Sequence, residues 1–181
     1  AYSFALLLAA FYRLNLIPNP QAELESVAAL LRQQEIAFQP ETPVCQNPAK
    51  RLAGQLVDRW VVVLASDYLA PVARRWKGQI SELAKAWAQF EFLPEADHNS
   101  LAGILNPETA LEKTFVLFLR APSDHPRNRL RSNFTRQTML IQALGTDTVD
   151  ALGDTPLAHI WTALQYGDYV SYYLAMAYGV D

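Results

Sequence analysis

The sequence predicts an α/β fold: a three-layer αβα sandwich with a parallel sheet, preceded by N-terminal helices. Two short apolar runs, residues 61–65 and 90–93, flank a segment with helical periodicity. A strand, a helix and a second strand in that order form a βαβ unit, which requires parallel strands. A third apolar run covers residues 115–119. Because β and α segments then alternate, the chain is expected to form a layered α/β domain.

Composition narrows the class of protein. The 181 residues suffice for one domain-sized core, and 51% hydrophobic against 18% charged residues indicates a globular chain. The net charge of -3 gives no reason to expect nucleic acid or an anionic membrane as a partner. Cys45 is the only cysteine, which excludes an internal disulfide and fits a reducing cytoplasm. The spacing of Cys and His is not that of a zinc site, so neither a metal nor a cofactor is predicted.

The N-terminal third reads as helices. Residues 1–16 are nearly all apolar, and we interpret them as a buried helix rather than a signal peptide, because no basic leader precedes the run. Residues 21–34 carry an apolar stripe at helical spacing. Residues 39–48 are rich in turn formers and form a plausible linker. Asn47 followed by Pro48 predicts the start of a helix that ends near residue 58.

The central helix of the βαβ unit has one apolar stripe. Its members recur at spacings of three and four and are expected to be buried: Leu69, Val72, Ala73, Trp76, Ile80, Leu83, Ala84 and Trp87. Gly78 interrupts this helix and could let a ligand or another backbone come close. Further along, the pattern predicts a helix at 126–143, a strand at 148–152, and a long closing helix that is capped by Thr155-Pro156 and ends at Gly179.

Polar residues follow the first two strands of the unit. Ser66-Asp67 follows one, and Asp97-His98-Asn99 follows the other. Ligands of parallel sheets gather beyond the carboxyl ends of the strands, so both stretches are candidate sites. Plain helix capping by Ser66-Asp67, or a surface role for His98, would explain the same residues.

Glu82 lies beside the apolar stripe of the central helix. A carboxylate poised by partial burial could act as a base, and His98 could carry a proton near neutrality. A solvated helix glutamate is the simpler interpretation of Glu82 alone, and spacing does not show that the two residues meet.

The remaining polar motifs carry less information. A basic set on the helix at 126–143 could hold phosphate, although a solvated helix face is the simpler account: Arg127, Arg129, Arg131 and Arg136. Asp124-His125 before Pro126 reads as a turn. The sequence has neither a P-loop nor a nucleophile-elbow serine.

Several long stretches resemble the bifunctional phosphoglucose/phosphomannose isomerases of the sugar isomerase (SIS) superfamily. They are Arg75-Trp-Lys-Gly-Gln-Ile80 continuing through Glu82 to Lys85, then Pro94-Glu95-Ala-Asp-His98-Asn99, and the tail from Gly167 to Asp181. Ser81 and Leu83 stand where the family usually has asparagines. The resemblance implies two fused SIS domains, of which residues 39–181 are the C-terminal one and residues 1–38 a helical segment linking from a missing N-terminal domain.

The resemblance also implies roles for two residues. Glu82 would be the base that moves a proton between C1 and C2 of a sugar phosphate through a cis-enediol. His98 would assist ring opening in the site of a neighbouring subunit, so a cytoplasmic homodimer is expected. An active-site arginine, the phosphate-binding loops and a C-terminal lysine would lie outside this chain, which is therefore expected to be inactive alone. A non-catalytic SIS module that binds a sugar phosphate, or one that only mediates dimerisation, remains an alternative.

Overall fold

The computed structural model describes residues 2–180. Its four strands are β1 (Trp60–Ala65), β2 (Ala88–Phe92), β3 (Thr114–Arg120) and β4 (Gly145–Asp150). Its helices are α1 (Tyr2–Arg13), α2 (Gln21–Phe38), α3 (Pro48–Leu56), α4 (Ala70–Leu83), α5 (Glu95–His98), α6 (Glu108–Leu111), α7 (Pro126–Ile141) and α8 (Pro156–Tyr178). Short 3₁₀ turns cover Asp67–Leu69 and Ser100–Gly103.

The strands form one parallel sheet in the order β2-β1-β3-β4. Val63 at the centre of β1 pairs with Phe90 of β2 on one side and with Leu117 of β3 on the other. The predicted βαβ unit is confirmed. β4 begins three residues before the predicted strand at 148–152, because its first residues, Gly-Thr-Asp, form a half-buried edge without an apolar run.

Alternate residues of the strands pack into two separate hydrophobic cores, one on each face of the sheet. This arrangement confirms the three-layer architecture. On one face, Val61, Val63 and Leu117 pack with residues of α3, α4 and α8. On the other face, Leu64, Val116 and Phe118 pack with Met139 of α7 and with the short helical segments between β2 and β3. Side chains of a strand point alternately to opposite faces, so both layers of helices are anchored by the same strands.

The N-terminal helices lie on the α8 side of the sheet. α2 packs along α8 and buries Val27 and Phe38. α1 is helical as predicted, but the prediction that it is buried is wrong for this chain, since none of its residues is buried. Phe4 of α1 makes an edge-on aromatic contact with Trp161, with ring centroids 5.4 Å apart. Ala1, where the predicted helix began, lies outside the described residues.

No helix within residues 2–180 combines the length and the apolar character needed to cross a membrane.

α4 confirms most of the predicted stripe, but its C-terminal part differs. Val72, Trp76 and Ile80 are buried, whereas Leu83 is 44% exposed and Trp87 is 81% exposed. The helix ends at Leu83, and Lys85 takes a left-handed backbone conformation (φ 52°) that turns the chain toward β2. Trp87 therefore lies beyond the end of the helix, and the helical periodicity that predicted its burial does not apply to it.

A close contact between Trp76 and Gly167 fixes α4 against α8. The buried indole of Trp76 donates its Nε1–H to the carbonyl of Ala163, at 2.9 Å. A Cβ placed on Gly167 would lie 2.4 Å from the indole ring. Only glycine leaves room for the ring at this position, so the packing of the two helices depends on that residue.

Polar atoms are also buried on these two helices. Asp168 follows Gly167, and its Oδ1 atom is buried without a hydrogen-bond partner. Burial raises the pKa of Asp168 to about 6, and the guanidinium of Arg75 on α4 opposes part of that rise. The oxygen Oε1 of Gln79 and the hydroxyl of Ser171 are likewise buried and unpaired.

Replacing Gly167 by alanine should destabilise the protein by about 1–3 kcal/mol, because the new methyl group forces the Trp76 ring to move. Denaturant unfolding measures this loss. The matched control is Gly54→Ala in α3, where a Cβ meets nothing within 4 Å, and a gain of up to about 1 kcal/mol is expected there. Equal effects of the two changes would contradict the proposed contact.

Asp168 should make stability depend on pH. Its pKa is about 6 when folded, against an ordinary value of 3.8. As the pH rises, Asp168 loses its proton in the unfolded chain before it does so in the folded chain. Its contribution to the free energy of unfolding is therefore complete below pH 3.8 and is lost as the pH rises through 6. Asp168→Asn should therefore raise the unfolding midpoint relative to the wild type at pH 7.5 more than at pH 4. A difference that is constant with pH would refute this assignment.

Candidate active site

Glu82 occupies the last turn of α4 on its solvent side. Its side chain is exposed, so the expected partial burial is wrong. Gly78 precedes it by one turn, and the carboxylate oxygen Oε1 of Glu82 lies 3.7 Å from the position a Cβ on Gly78 would take. The carboxylate therefore stands beside bare helix backbone, with room for a ligand to approach it.

His98 ends the short helix α5 that follows β2, and its ring is exposed. The neighbouring residue fixes this helix in place. Thr135 of α7 donates its hydroxyl to Asp97 Oδ1 at 2.6 Å, and Ala96 is buried in the core beneath. Asn99 donates from its side-chain amide to Glu95 at 3.1 Å. His98 is thus presented to solvent from a segment that is anchored on both sides.

Glu82 and His98 lie at opposite ends of the domain. α4 runs antiparallel to the strands, so Glu82 is at the end where the strands begin, whereas His98 follows the carboxyl end of β2. The five residues of β2 alone separate the two ends by roughly 16 Å. The structure therefore does not bring the two predicted residues together within one chain.

Ser66-Asp67 does not cap the helical turn that follows it, so the capping expectation is wrong. Ser66 is buried and makes no capping hydrogen bond through its side chain. The carboxylate of Asp67 accepts hydrogen bonds from the amide of His125 at 2.9 Å and from the side chain of Asn128 at 3.1 Å. Partial burial opposes ionisation, but these hydrogen bonds prevail and lower the pKa of Asp67. Asp67 thus ties the loop after β1 to the start of α7.

A buried histidine that sequence reasoning missed lies at the same edge of the sheet. His159 of α8 is 1% exposed, and its Nε2 donates to the carbonyl of Gly153 at 2.8 Å. With that hydrogen on Nε2, Nδ1 can accept from the hydroxyl of Ser123, which also lies at 2.8 Å. Both ring nitrogens are engaged, so the pair links the loops after β3 and β4. These residues are 36 positions apart, and no local pattern connects them.

Asp124, which the sequence places in a turn, has a buried carboxyl group. Its Oδ2 accepts from the amide of Ala121 at 2.7 Å, while Oδ1 is buried without a partner. Burial, with a contribution from nearby Asp67, raises the pKa of Asp124. His125 caps α7 by accepting from the amide of Arg127 at 3.2 Å.

The four arginines of α7 differ in their exposure. Arg127 and Arg129 are exposed, as expected for a solvated helix face. Arg131 and Arg136 are partly buried, and Arg131 donates to Asn128 at 3.1 Å. Within residues 2–180 no group of three or more His, Cys, Asp or Glu side chains could hold a metal ion.

The two residues that the sequence analysis singled out for catalysis are both exposed. Glu82 offers a carboxylate and His98 an imidazole, and both can reach a ligand from outside the domain. The polar residues at the carboxyl edge of the sheet make contacts within the fold instead. They are Asp67, Ser123, Asp124 and His159.

Comparison with known proteins identifies relatives along nearly the whole chain. The model of the bacterial phospho-glucose isomerase C-terminal SIS domain matches residues 45–181. The bifunctional phosphoglucose/phosphomannose isomerase of Caldicellulosiruptor bescii is 33% identical over 99% of this chain and 53% of its own length. The enzyme of that name from Aquifex aeolicus is 31% identical over 93% of this chain and 50% of its own length.

Solved structures agree on the fold. A glucose-6-phosphate isomerase like protein from Thermus thermophilus superposes with a TM-score of 0.77 at 24% identity, over 89% of this chain and 54% of that one. The chain thus spans about half the length of the curated relatives and matches their C-terminal half. It belongs to the family of bacterial phosphoglucose isomerase C-terminal SIS domains.

Proposed function

We propose that this chain is the C-terminal half of an isomerase that interconverts glucose 6-phosphate and mannose 6-phosphate with fructose 6-phosphate. The observation that carries the proposal is the alignment of 99% and 93% of the chain with two relatives named bifunctional phosphoglucose/phosphomannose isomerase. Residues 39–181 would be the C-terminal SIS domain. Residues 1–38 would be the helical segment that links it to an N-terminal SIS domain carrying the phosphate-binding loops.

Glu82 is the proposed base. It removes the proton from C2 of the open-chain aldose phosphate and returns it to C1, while a hydroxyl proton moves from O2 to O1. The intermediate is a cis-enediol, in which C2 has lost its stereochemistry. A site of this kind serves glucose and mannose phosphates alike. The exposed position of Glu82 beside Gly78 supports this role, because a substrate can lie against the uncovered helix backbone.

The reaction only moves protons within the substrate, so the proposal includes neither a metal nor a redox cofactor. It requires the sugar to be held so that C1 and C2 both lie within reach of one carboxylate. That positioning would come largely from the phosphate anchor of the N-terminal domain. We therefore expect this chain alone to be nearly inactive.

His98 is the proposed group for opening the sugar ring. Because it lies at the opposite end of the domain from Glu82, it would act in the site of a second copy of the protein. The proposal thus includes a homodimer in which each site combines Glu82 of one subunit with His98 of the other. The anchored and exposed position of His98 at the end of α5 supports such a role. An enzyme of this kind is expected in the cytoplasm, in glycolysis and gluconeogenesis.

In the intact protein, Glu82→Gln should lower kcat by about 10²- to 10⁴-fold, because the amide cannot take up the proton. KM should change little, and the loss should be equal for glucose and mannose phosphates since both pass through the same base. Steady-state assays with each substrate measure this. Glu35→Gln, at an exposed site on α2, is the matched control and should keep wild-type turnover. Near-normal turnover of Glu82→Gln would remove Glu82 from the mechanism.

A further inference from the structure

We propose that the chain has a second binding site, for a nucleoside phosphate, in a cavity at the amino ends of β1 and β2. The cavity has a volume of about 650 Å³ and is open to solvent. It lies between the segment that leads into β1, the turn from α4 to β2, and the end of α8. It lies at the same end of the sheet as Glu82, but neither Glu82 nor His98 is among its lining residues.

Two tryptophans supply flat apolar surfaces. Trp60 is 40% exposed and Trp87 is 81% exposed, and both line the cavity. Exposed aromatic side chains that share one opening form a larger apolar surface, which can contact a ligand or a partner. An indole face is a stacking surface for a nucleobase, because base and indole both present extended π-systems.

The polar lining has a surplus of hydrogen-bond donors. Arg59 donates one N–H to the carbonyl of Glu112, and the ammonium of Lys85 donates to the carbonyl of Glu82. Both cations keep further N–H groups. The hydroxyl of Tyr178 accepts from the amide of Asp58 at 2.8 Å, so its own hydrogen is available. Asp58 is the one acidic side chain among the lining residues. Cations and donors beside aromatic faces fit an anion that carries a planar ring.

The backbone around the cavity is held in an uncommon conformation. Asp58 (φ 59°) and Lys85 (φ 52°) are both left-handed, although neither is glycine. Asp58 follows the end of α3 and Lys85 follows the end of α4, where a left-handed residue commonly turns the chain. Here each of them precedes a lining tryptophan by two residues. The geometry thus sets the two indoles and the two cations around one opening.

Binding at this cavity would affect Glu82. The ammonium of Lys85 lies 2.8 Å from the backbone carbonyl of Glu82, in the last turn of α4. A phosphate that attracts this ammonium would withdraw it from the carbonyl and alter the turn that carries the proposed base. Regulation of turnover in this way rests on the proposed function, whereas binding itself does not.

Titration of the intact protein with ADP, followed by calorimetry and by tryptophan fluorescence, tests the site. We expect saturable binding with quenched fluorescence. Affinity should fall roughly tenfold or more in Trp87→Ala and in the double variant Arg59→Gln, Lys85→Gln, because stacking or charge is lost. Trp161→Phe and Lys77→Gln remove an indole and a cation outside the cavity, and they should bind ADP as the wild type does.

Three results would overturn the inference: no binding of ADP at millimolar concentration, unchanged affinity in the cavity variants, or inorganic phosphate binding as tightly as ADP. The outcome is separable from that of the isomerase proposal. If ADP binds through the cavity while the intact protein lacks isomerase activity, only the proposed function fails. If turnover depends on Glu82 while ADP does not bind, only this inference fails.

Discussion

The position of α4 depends on the contact between Trp76 and Gly167. A buried indole lies against a residue without a side chain and donates to the carbonyl of Ala163. This contact sets the distance between α4 and α8 and leaves the opposite side of α4 facing solvent. Glu82 is on that open side, one turn after Gly78. Two glycines therefore have different roles. Gly167 leaves room for the Trp76 ring in the core, and Gly78 leaves the helix backbone beside Glu82 without a side chain.

The direction of the chain imposes a second constraint. In a βαβ unit the crossover helix returns antiparallel to its strands, so residues late in the helix and residues after the second strand lie at opposite ends of the sheet. Glu82 and His98 are such a pair. A single copy of the fold keeps them apart whatever their side-chain conformations are. Any reaction that uses both needs two copies, and exposure of both residues is what such an arrangement requires.

Local patterns in the sequence predicted most of the fold. Features that depend on contacts between residues far apart in the sequence were not predicted. The βαβ unit and the Asn47-Pro48 cap were predictable because strand, helix and cap patterns are short; the side chain of Asn47 indeed accepts from the amide of Lys50 at 3.0 Å. The exposure of α1 and Trp87 depends on packing that periodicity does not encode. The Ser123–His159 hydrogen bond joins a loop residue to a helix residue 36 positions further along the chain. The roles proposed for Glu82 and His98 came from resemblance, since spacing does not show whether two residues share a site.

The most direct test of the two-subunit site is complementation between Glu82→Gln and His98→Asn. The two intact proteins would be produced together with different affinity tags, and the mixed dimer would be isolated. One of its two sites carries both substitutions, and the other carries neither. The account predicts that each homodimer of variants is nearly inactive and that the mixed dimer has about half of the wild-type activity. A mixed dimer no more active than the variants alone would contradict the account.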